Sequence, residues 1–479
     1  MNNSINSFSF FLLALLCSAA SCKKTIVEPT PPVVVVPPVT SIKPIEIWTT
    51  ASDQTELLFG RTVNFSDNKN ANFPDIVIDT TKKYQSIEGF GYTLTGGSAT
   101  LINKMSAADR DSLLQELFGT VKKAIGVSYL RLSLGASDLS ESVFSYDEVA
   151  NDLTLSKFNL SYDTIDVIPI LQRILKINPS IKLMASPWSA PTWMKDNKDS
   201  KGGSLLPTYY SVYAQYFVKY LQQMKAKGIL LDAVTIQNEP QHGGNNPSMV
   251  MSALEQADFI KNHLGPAFKA ANITTKIIAW DHNCDNPDYP IKVLNDAGAK
   301  QYTAGSAFHL YNGDISALSK VHAAHPDRDL YFTEQWTGAM GSFSGDLQWH
   351  FKNVIIGSLK NWSKVALEWN LANDPNYAPH TPGGCTECKG ALTINGNSIT
   401  RNVGYYIIAQ ASKALPAGSV RIESNVVTGL PNVAFKTPTG KIVLLILNDS
   451  NANQTFNINA NGKWLITDLN AGMVGAYRW

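Results

Sequence analysis

Two glutamates each follow a run of residues that favour β-strands. Glu239 lies in TIQNEP (235–240), and Glu334 lies in LYFTEQW (330–336). Two carboxyl groups that face each other can divide acid–base work, because one protonates a leaving oxygen while the other attacks a carbon atom or activates water. Hydrolysis of a glycosidic bond requires this chemistry. The alternative interpretation is a structural ion pair between a glutamate and Arg131.

The segments that carry both glutamates belong to an alternating pattern that begins near residue 84. Short apolar or β-branched runs alternate with stretches of helical periodicity, and the apolar runs are mostly continuous, as expected for parallel strands covered on both faces. The eight predicted strands are 86–91, 127–134, 182–188, 233–238, 276–281, 304–311, 330–335 and 365–371. The pattern predicts an α/β fold, a (β/α)8 TIM barrel.

Polar and aromatic residues recur where the predicted strands end, which is where TIM-barrel enzymes place their functional groups. They include Arg131, Asp138, Trp188, Asn238, His309, Tyr311 and Trp369. Buried polar groups lower stability unless they are paired, so a barrel with only a structural role has no need of this pattern. Strands four and seven lie across the barrel mouth, and we therefore predict that the two glutamates converge, with carboxyl groups about 5–5.5 Å apart.

The sequence pattern at the two ends of the chain differs from that of the predicted barrel. After about residue 417, short strand-like runs are separated by Asn, Gly and Asp turns, which predicts an antiparallel β unit. We expect a β-sandwich that also takes strands from the N-terminal side. The predicted divisions are N-terminal strands at 45–80, the catalytic barrel at 81–414 and the C-terminal β-sandwich at 415–479.

Residues 1–22 have the pattern of a targeting segment. Residues 8–16 are almost entirely apolar but too few to span a bilayer, and the small residues at 19–21 precede Cys22, which resembles a bacterial lipoprotein cleavage site. A proline-rich linker at 23–44 would act as a stiff spacer. We expect an exported protein, lipid-anchored through that cysteine at the outer membrane or cell surface. A periplasmic or secreted protein is the alternative.

The composition excludes several classes of partner. The chain has 40 basic and 39 acidic residues and a net charge of +1, so it lacks the basic footprint of a nucleic-acid-binding protein.

The pair Cys385 and Cys388 favours a loop-closing disulfide or two free thiols over zinc, because a single C-x-x-C lacks the second pair. The short run Asp281-His282-Asn283 is too little for a metal site. We therefore expect no metal, no cofactor and a monomer.

A set of motifs occurs in order along residues 45–479. They are QSIEGFG (85–91), RLSLGASDLS (131–140), ASPWSAPTWMK (185–195), QNEP (237–240), AFHLY (307–311), TE (333–334) and WNLA (369–372). Together they resemble glycoside hydrolase family 30, which includes glucosylceramidases and β-1,6-glucanases. The resemblance implies a double-displacement mechanism that retains the β configuration of the sugar.

The resemblance also implies roles for the residues around the reacting bond. It implies that Glu239 is the acid/base and that Glu334 is the nucleophile. Tyr311 would donate a hydrogen bond to the nucleophile. Arg131 and His309 would lie behind the two glutamates, orient their carboxyl groups and influence their protonation states.

Four further residues are implied to contact the sugar itself. Asn238 would hydrogen-bond the 2-hydroxyl, an interaction that strengthens in the transition state. Asp138 would accept hydrogen bonds from hydroxyls on the far side of the ring. Trp188 would be another sugar contact, and Trp369 would form a wall or floor of the site.

The sequence departs from the family pattern in ways that affect the substrate. Ser133 stands where the family usually has proline, Leu139 where it usually has phenylalanine, and the loop 373–389 does not align cleanly. We favour β-1,6-glucan as the substrate. Hydrolysis of a glucosylated lipid is the first alternative, followed by β-xylosidase or β-fucosidase activity. A non-catalytic glycan-binding surface protein is the alternative from a different class, although it has no need of both glutamates.

Overall fold

The computed structural model describes residues 44–121, 123–460 and 462–479. The predicted signal peptide at 1–22 and all but the last residue of the predicted linker at 23–44 lie outside the described residues. Among the helices of the described ranges, none is long and apolar enough to cross a membrane.

Eight parallel strands close into a barrel, and each pairs with its neighbours in chain order. They are β1 (Gly89–Leu94), β2 (Tyr129–Ser133), β3 (Lys182–Ser186), β4 (Ala233–Thr235), β5 (Lys276–Cys284), β6 (Thr303–Gly313), β7 (Asp329–Glu334) and β8 (Ser363–Asn370). Most of their side chains are buried on both faces, which explains the continuous apolar runs in the sequence. The predicted (β/α)8 barrel is confirmed.

Helices separate the barrel strands along the chain. The α-helices are Gly96–Lys104, Ala107–Phe118, Val167–Ile177, Tyr210–Ala226, Ala253–Phe259, Gly265–Ala270, Asp288–Asn295, Ala297–Lys300, Ala317–Ala324, Phe343–His350, Ser358–Lys360 and Val403–Ser412. Two π-helical segments, Ile260–Leu264 and Phe351–Gly357, join consecutive α-helices. Short 3-10 helices are found at Thr192–Met194 and Pro207–Tyr209.

Local sequence signals explain where individual helices begin and end. The Ser106 side chain accepts a hydrogen bond from the backbone N–H of Asp109 and thereby caps the helix Ala107–Phe118. The helix Tyr210–Ala226 ends just before Gly228, whose φ of +79° lies in the left-handed region that glycine tolerates.

A second unit is built from strands at both ends of the described chain. Its seven-stranded antiparallel sheet has the order Phe59–Val63, Ile45–Thr50, Val474–Arg478, Ile442–Leu447, Asn432–Lys436, Val420–Ser424 and Ile78–Ser86. A three-stranded sheet, with the order Lys463–Leu469, Gln454–Ala460 and Asp75–Ile76, shares a cluster of buried side chains with it. The predicted β-sandwich of N-terminal and C-terminal strands is confirmed.

Two small sheets lie in the loops of the barrel. Thr337–Gly338 pairs with Cys388–Lys389. Leu392–Asn395 pairs with both Ala372–Asn373 and Ser398–Arg401. The first of these sheets ties the long segment after β8 to the segment that follows β7.

The first barrel strand lies three residues later than predicted, at Gly89–Leu94 in place of 86–91. The preceding strand Ile78–Ser86 pairs with Val420–Ser424, so the β unit takes residues up to Ser86, beyond the predicted boundary at residue 80. This strand lies at the edge of its sheet, where exposed Thr and Lys side chains are tolerated. Its polar composition therefore gave no strand signal.

Candidate active site

A cavity of about 300 Å³ opens where the barrel strands end. Glu334 is the last residue of β7, and Glu239 follows shortly after β4. Both side chains line this cavity. Its full lining is Asp138, Trp188, Glu239, His242, Asn245, His282, Asn283, Tyr311, Glu334, Trp336, Trp369, Cys385 and Cys388.

The two glutamates meet although 95 positions separate them in the sequence. One carboxyl oxygen of Glu239 lies within 4.8 Å of one carboxyl oxygen of Glu334. Only β5 and β6 lie between β4 and β7 around the barrel, so the two side chains approach each other over its mouth. When a water molecule must fit between one carboxyl group and the sugar, the two carboxyl groups are about 6.5–9.5 Å apart. The closer approach seen here suits direct attack by one carboxylate.

Both carboxyl oxygens of Glu334 accept hydrogen bonds from charged or hydroxyl groups. Arg131 donates through Nη1 to Oε2 at 2.5 Å, and the Tyr311 hydroxyl donates to Oε1 at 3.0 Å. The Arg131 side chain is completely buried. If the pair had only a structural role, which is the alternative interpretation given above, this contact would be its whole purpose. Such an ion pair alone leaves the second carboxylate, Glu239, unexplained at the same cavity.

His309 links Glu239 to a deeper carboxylate. Its Nδ1 lies 3.1 Å from Oε1 of Glu239, and its Nε2 lies 3.1 Å from Oδ1 of Asp281. Burial lowers the pKa of His309, but the charge of Glu334 and the hydrogen bonds to Asp281 and Glu239 raise it to about 9. The imidazole is therefore a cation at neutral pH and donates from both nitrogens. A protonated ring of this kind is not a metal ligand, although its nitrogen and the two glutamate oxygens lie close together.

Asp281 is the anion that anchors the whole arrangement. Beyond His309, it accepts hydrogen bonds from side chains on four other strands: Arg131 at 2.9 Å, Ser186 and Thr235 at 2.8 Å, and Thr333 at 2.7 Å. Burial raises its pKa, but Arg131 and His309 outweigh this and hold the pKa well below its usual range. Asp281 thus stays ionised and fixes the two cations that contact the glutamates.

The backbone around Asp281 explains how its side chain reaches this position. Trp280 and Asp281 both have positive φ, +71° and +72°, and the pairing of β5 with β6 shifts register at this point. Such a bulge re-aims a side chain and is common beside active sites. The backbone carbonyl of Asp281 also accepts from the N–H of Glu239 at 3.0 Å, which positions the loop after β4.

The predicted sugar contacts differ in how far they reach the cavity. Trp188 and Trp369 stack with ring centroids 5.3 Å apart, and the Arg131 guanidinium lies 4.8 Å from the Trp188 ring. Both rings line the cavity as its wall. Asn238 is not among the lining residues; its side-chain oxygen accepts from Nη2 of Arg131 at 2.6 Å.

Asp138 is buried at the cavity with an oxygen still available. Among the described residues, its Oδ1 has no hydrogen-bond partner. Burial, and then the charges of Glu334 and Glu239, raise the pKa of Asp138 to about 7. Asp138 lines the cavity, and a buried acceptor without a partner can take donors from a bound molecule, such as sugar hydroxyls.

Both units of the structure match models of one enzyme family. Residues 87–415 match the glycosyl hydrolase family 30 TIM-barrel domain, and residues 418–471 match the family 30 beta sandwich domain. The chain belongs to glycoside hydrolase family 30. The expected resemblance is thereby confirmed, and the protein is a glycoside hydrolase.

Relatives of this family 30 enzyme carry two kinds of name. An endo-1,6-beta-D-glucanase of Aspergillus fumigatus is 36% identical over 422 residues, which cover 81% of this chain and 84% of that protein. The lysosomal acid glucosylceramidase of Mus musculus is 28% identical over 431 residues, 84% of this chain and 83% of that protein. A solved endo-beta1,6-glucanase, 37% identical, superimposes with a TM-score of 0.86 over 91% of this chain and 99% of its own.

The family 30 site also contains residues that were not predicted to belong to it. His242 and Asn245 lie in the loop after β4, and Cys385 and Cys388 lie in the long segment after β8. Loop residues carry no periodicity, so nothing in the pattern placed these four at the barrel mouth. His282, named above only in the short run 281–283, also lines the cavity; burial lowers its pKa to about 4, so it is a neutral ring there.

We predict that Asp281→Asn destabilises this family 30 enzyme by about 3–5 kcal/mol, because Arg131 and His309 would keep buried charges without their shared counter-ion. Since the pKa of Asp281 is held low, the stabilisation is present at neutral pH and is lost as the pH falls below about 3.9, the ordinary aspartate value. Urea unfolding at pH 7 measures the effect. The matched control is Thr235→Val, which removes one donor to the same carboxylate and should cost about 1 kcal/mol. Equal stability of the two variants would contradict the prediction.

Proposed function

We propose that this family 30 enzyme is a retaining β-glucanase that cleaves β-1,6-glucan by double displacement. The observation that carries the proposal is the approach of Glu239 and Glu334 to within 4.8 Å at one cavity. The names of the relatives described above support the glucan linkage.

In the first step, a carboxylate oxygen of Glu334 attacks the anomeric carbon of the sugar. The bond from that carbon to the leaving oxygen breaks, and Glu239 transfers its proton to that oxygen. Arg131 and Tyr311 hold the attacking carboxylate in place through their hydrogen bonds. The product is a covalent glycosyl-enzyme with inverted configuration at the anomeric carbon.

In the second step, Glu239 acts as a base. It takes a proton from a water molecule, whose oxygen attacks the anomeric carbon from the side that the leaving group vacated. The bond to Glu334 breaks, and the carboxylate returns to its contacts with Arg131 and Tyr311. Two inversions restore the original β configuration.

The first step requires an ionised Glu334 and a protonated Glu239. Burial raises the pKa of Glu334 against the charges of His309 and Arg131, whereas the pKa of Glu239, also raised by burial, is lowered overall by His309. These directions alone would put the shared proton on Glu334. The contacts argue otherwise, because Arg131 and Tyr311 both stabilise the carboxylate form of Glu334. Within the described chain the Glu239 carboxyl group has His309 as its only hydrogen-bond partner, against two for the Glu334 carboxyl group, and we assign the proton to Glu239.

The sugar in the cavity would be held by an acceptor and an aromatic wall. Asp138 offers its unpartnered oxygen to sugar hydroxyls, and these donors would lower its pKa from about 7, so the carboxylate form binds. Trp188 and Trp369 supply apolar area against the ring. Asn238 is fixed by Arg131 and would reach the 2-hydroxyl only through its remaining amide group.

Polar side chains in the lining of the cavity favour a sugar as the leaving group. His242, Asn245 and Asn283 line the cavity and present groups that hydrogen-bond hydroxyls. A lipid leaving group would be better served by an apolar rim. We therefore place the glucosylated lipid second, supported by the glucosylceramidase name of one relative.

We also propose that the enzyme works outside the cytoplasm. The pattern of residues 1–22, with its short apolar run before Cys22, supports export and lipid anchoring at the outer membrane or cell surface. This location suits capture of a polysaccharide that is too large to enter the cell.

Product profiling with three substrates tests the proposal. Purified enzyme is incubated in parallel with β-1,6-glucan, β-1,3-glucan and glucosylceramide, with Glu334→Gln as the blank. We expect the highest kcat/KM on β-1,6-glucan, with products that first appear in the β configuration. A preference for glucosylceramide would select the alternative substrate. Binding of glucan without hydrolysis of any of the three would favour the non-catalytic glycan-binding protein.

A further inference from the structure

A loop closed by a disulfide forms one wall of the active-site cavity. We call residues 381–388 the cysteine loop. Its two cysteines are joined by a disulfide, and both line the cavity. The sequence left open whether they are bonded or free, and the structure selects the bond. This segment belongs to the region that departs from the family pattern.

The disulfide packs against the aromatic wall of the sugar site. Cys388 lies in a buried cluster with Leu139, Trp188 and Trp369, and Cys385, which is partly buried, packs against the same cluster. The disulfide therefore forms part of the cavity wall, as an apolar side chain would. A change in their position changes the shape of that wall.

The cysteine loop also contacts Asp138, the acceptor proposed for sugar hydroxyls. The backbone N–H of Thr381 donates to the backbone carbonyl of Asp138 at 2.9 Å. The backbone amide of Cys385 lies near enough to the Asp138 carboxyl group to lower the pKa of that group. A Cβ atom at Gly384 would lie 2.4 Å from the Asp138 carbonyl oxygen, so the backbone approaches as closely as glycine permits.

Two further attachments fix the loop at its ends. Asn246, after β4, donates through Nδ2 to the carbonyl of Pro382 at 2.9 Å. On the other side, Cys388 pairs with Gly338 and the N–H of Ala339 donates to the carbonyl of Glu387 at 2.9 Å. The loop thus connects the segments after β2, β4 and β7, and the disulfide braces the turn between these attachments.

We propose that the Cys385–Cys388 disulfide is a positioning element of the sugar site, which holds the cysteine loop against Asp138 and the Trp188–Trp369 wall. The inference rests on the proposed glycosidase function. Reduction by a dithiol transfers two hydrogen atoms to the sulfurs, yields two thiols and turns the reductant into a cyclic disulfide. Because two thiol sulfurs cannot remain at bonding distance, the wall changes shape and the Cys385 amide leaves Asp138. Glu239 and Glu334, which are held from the barrel strands, keep their geometry.

Steady-state kinetics with and without dithiothreitol test the proposal on β-1,6-linked gluco-oligosaccharides. Reduction of the wild type should raise KM about tenfold, the effect of one lost hydrogen bond to a charged group, while kcat changes less than about twofold. Asp138 would also lose a donor that lowers its pKa, so the pH dependence of kcat/KM should shift to higher pH. The Cys385→Ala/Cys388→Ala variant should behave like the reduced wild type and show no response to dithiothreitol.

Cys284→Ala is the matched control, because Cys284 is a buried free cysteine outside the lining of the cavity. This variant should respond to dithiothreitol as the wild type does. An unchanged KM with both thiols detected by mass spectrometry would overturn the proposal. A loss of kcat together with a lower unfolding temperature would also overturn it, since that pattern indicates general destabilisation.

A direct binding measurement separates this proposal from the proposed function. Calorimetric titration of Glu334→Gln with the same oligosaccharide reports affinity without turnover. Weaker binding after reduction supports the positioning role even if no substrate is hydrolysed by the wild type. Equal affinity in both redox states contradicts the positioning role, whatever the activity.

Discussion

Replacing Glu334 by glutamine is expected to lower kcat by several orders of magnitude while the protein remains folded. The amide has the same size and still offers one oxygen to Arg131, but it cannot form the covalent bond to the anomeric carbon. The loss follows from removing the attacking atom's charge, so raising the substrate concentration should not restore it. Turnover of an activated aryl β-glucoside measures the effect, and circular dichroism with thermal unfolding checks the fold.

A second buried glutamate provides the matched control for this substitution. Glu368 lies on β8 and accepts a hydrogen bond from Nδ1 of His350 at 2.8 Å, but it does not line the cavity. Glu368→Gln therefore removes a buried carboxylate beside a histidine without touching the proposed chemistry, and kcat should stay within a few-fold of the wild type. Near-normal turnover by Glu334→Gln would reject its assignment as the nucleophile.

Replacing Glu239 by alanine should stall the reaction after the first step. An activated aryl leaving group departs without a proton, so the glycosyl-enzyme forms, but no base then activates water. Azide is a small anion that needs no base and fits the space left by the side chain. We expect it to restore turnover and to yield a β-glycosyl azide, detected by nuclear magnetic resonance.

The pH profile provides an independent reading of the same variant. In the wild type, activity should fall at low pH as Glu334 gains a proton and at high pH as Glu239 loses one. On the activated substrate with azide, Glu239→Ala should lack the alkaline fall. An α-glycosyl azide, the absence of rescue, or an unchanged alkaline limb would each count against the acid/base assignment.

The barrel could be predicted because its strands are covered on both faces and therefore read as continuous apolar runs. Strands at positions where one face is exposed or the side chains are small were harder to recognise. Ile78–Ser86 is polar because it lies at a sheet edge, and Val474–Arg478 carries no strong strand pattern although it lies inside its sheet. The latter contains Gly475 and Ala476, which have low strand propensity, and its neighbours on both sides impose the conformation.

The positions of the site residues that lie at the ends of barrel strands could be predicted from the sequence. Glu334 ends β7, and Glu239 follows β4, so the barrel rule alone brings them to one mouth. The role of Asp281 was not visible, because it depends on a bulge that only the paired strands reveal. The same holds for the cysteine loop, whose position is set by contacts with three other loops.

The pairing of Ile45–Thr50 with Val474–Arg478 has a consequence for how the chain is made. These two neighbouring strands of the seven-stranded sheet are more than 400 residues apart in the sequence, so a ribosome must release nearly all of the residues between them before that sheet can be completed. Until then, the early strand has an unpaired edge that is open to wrong partners.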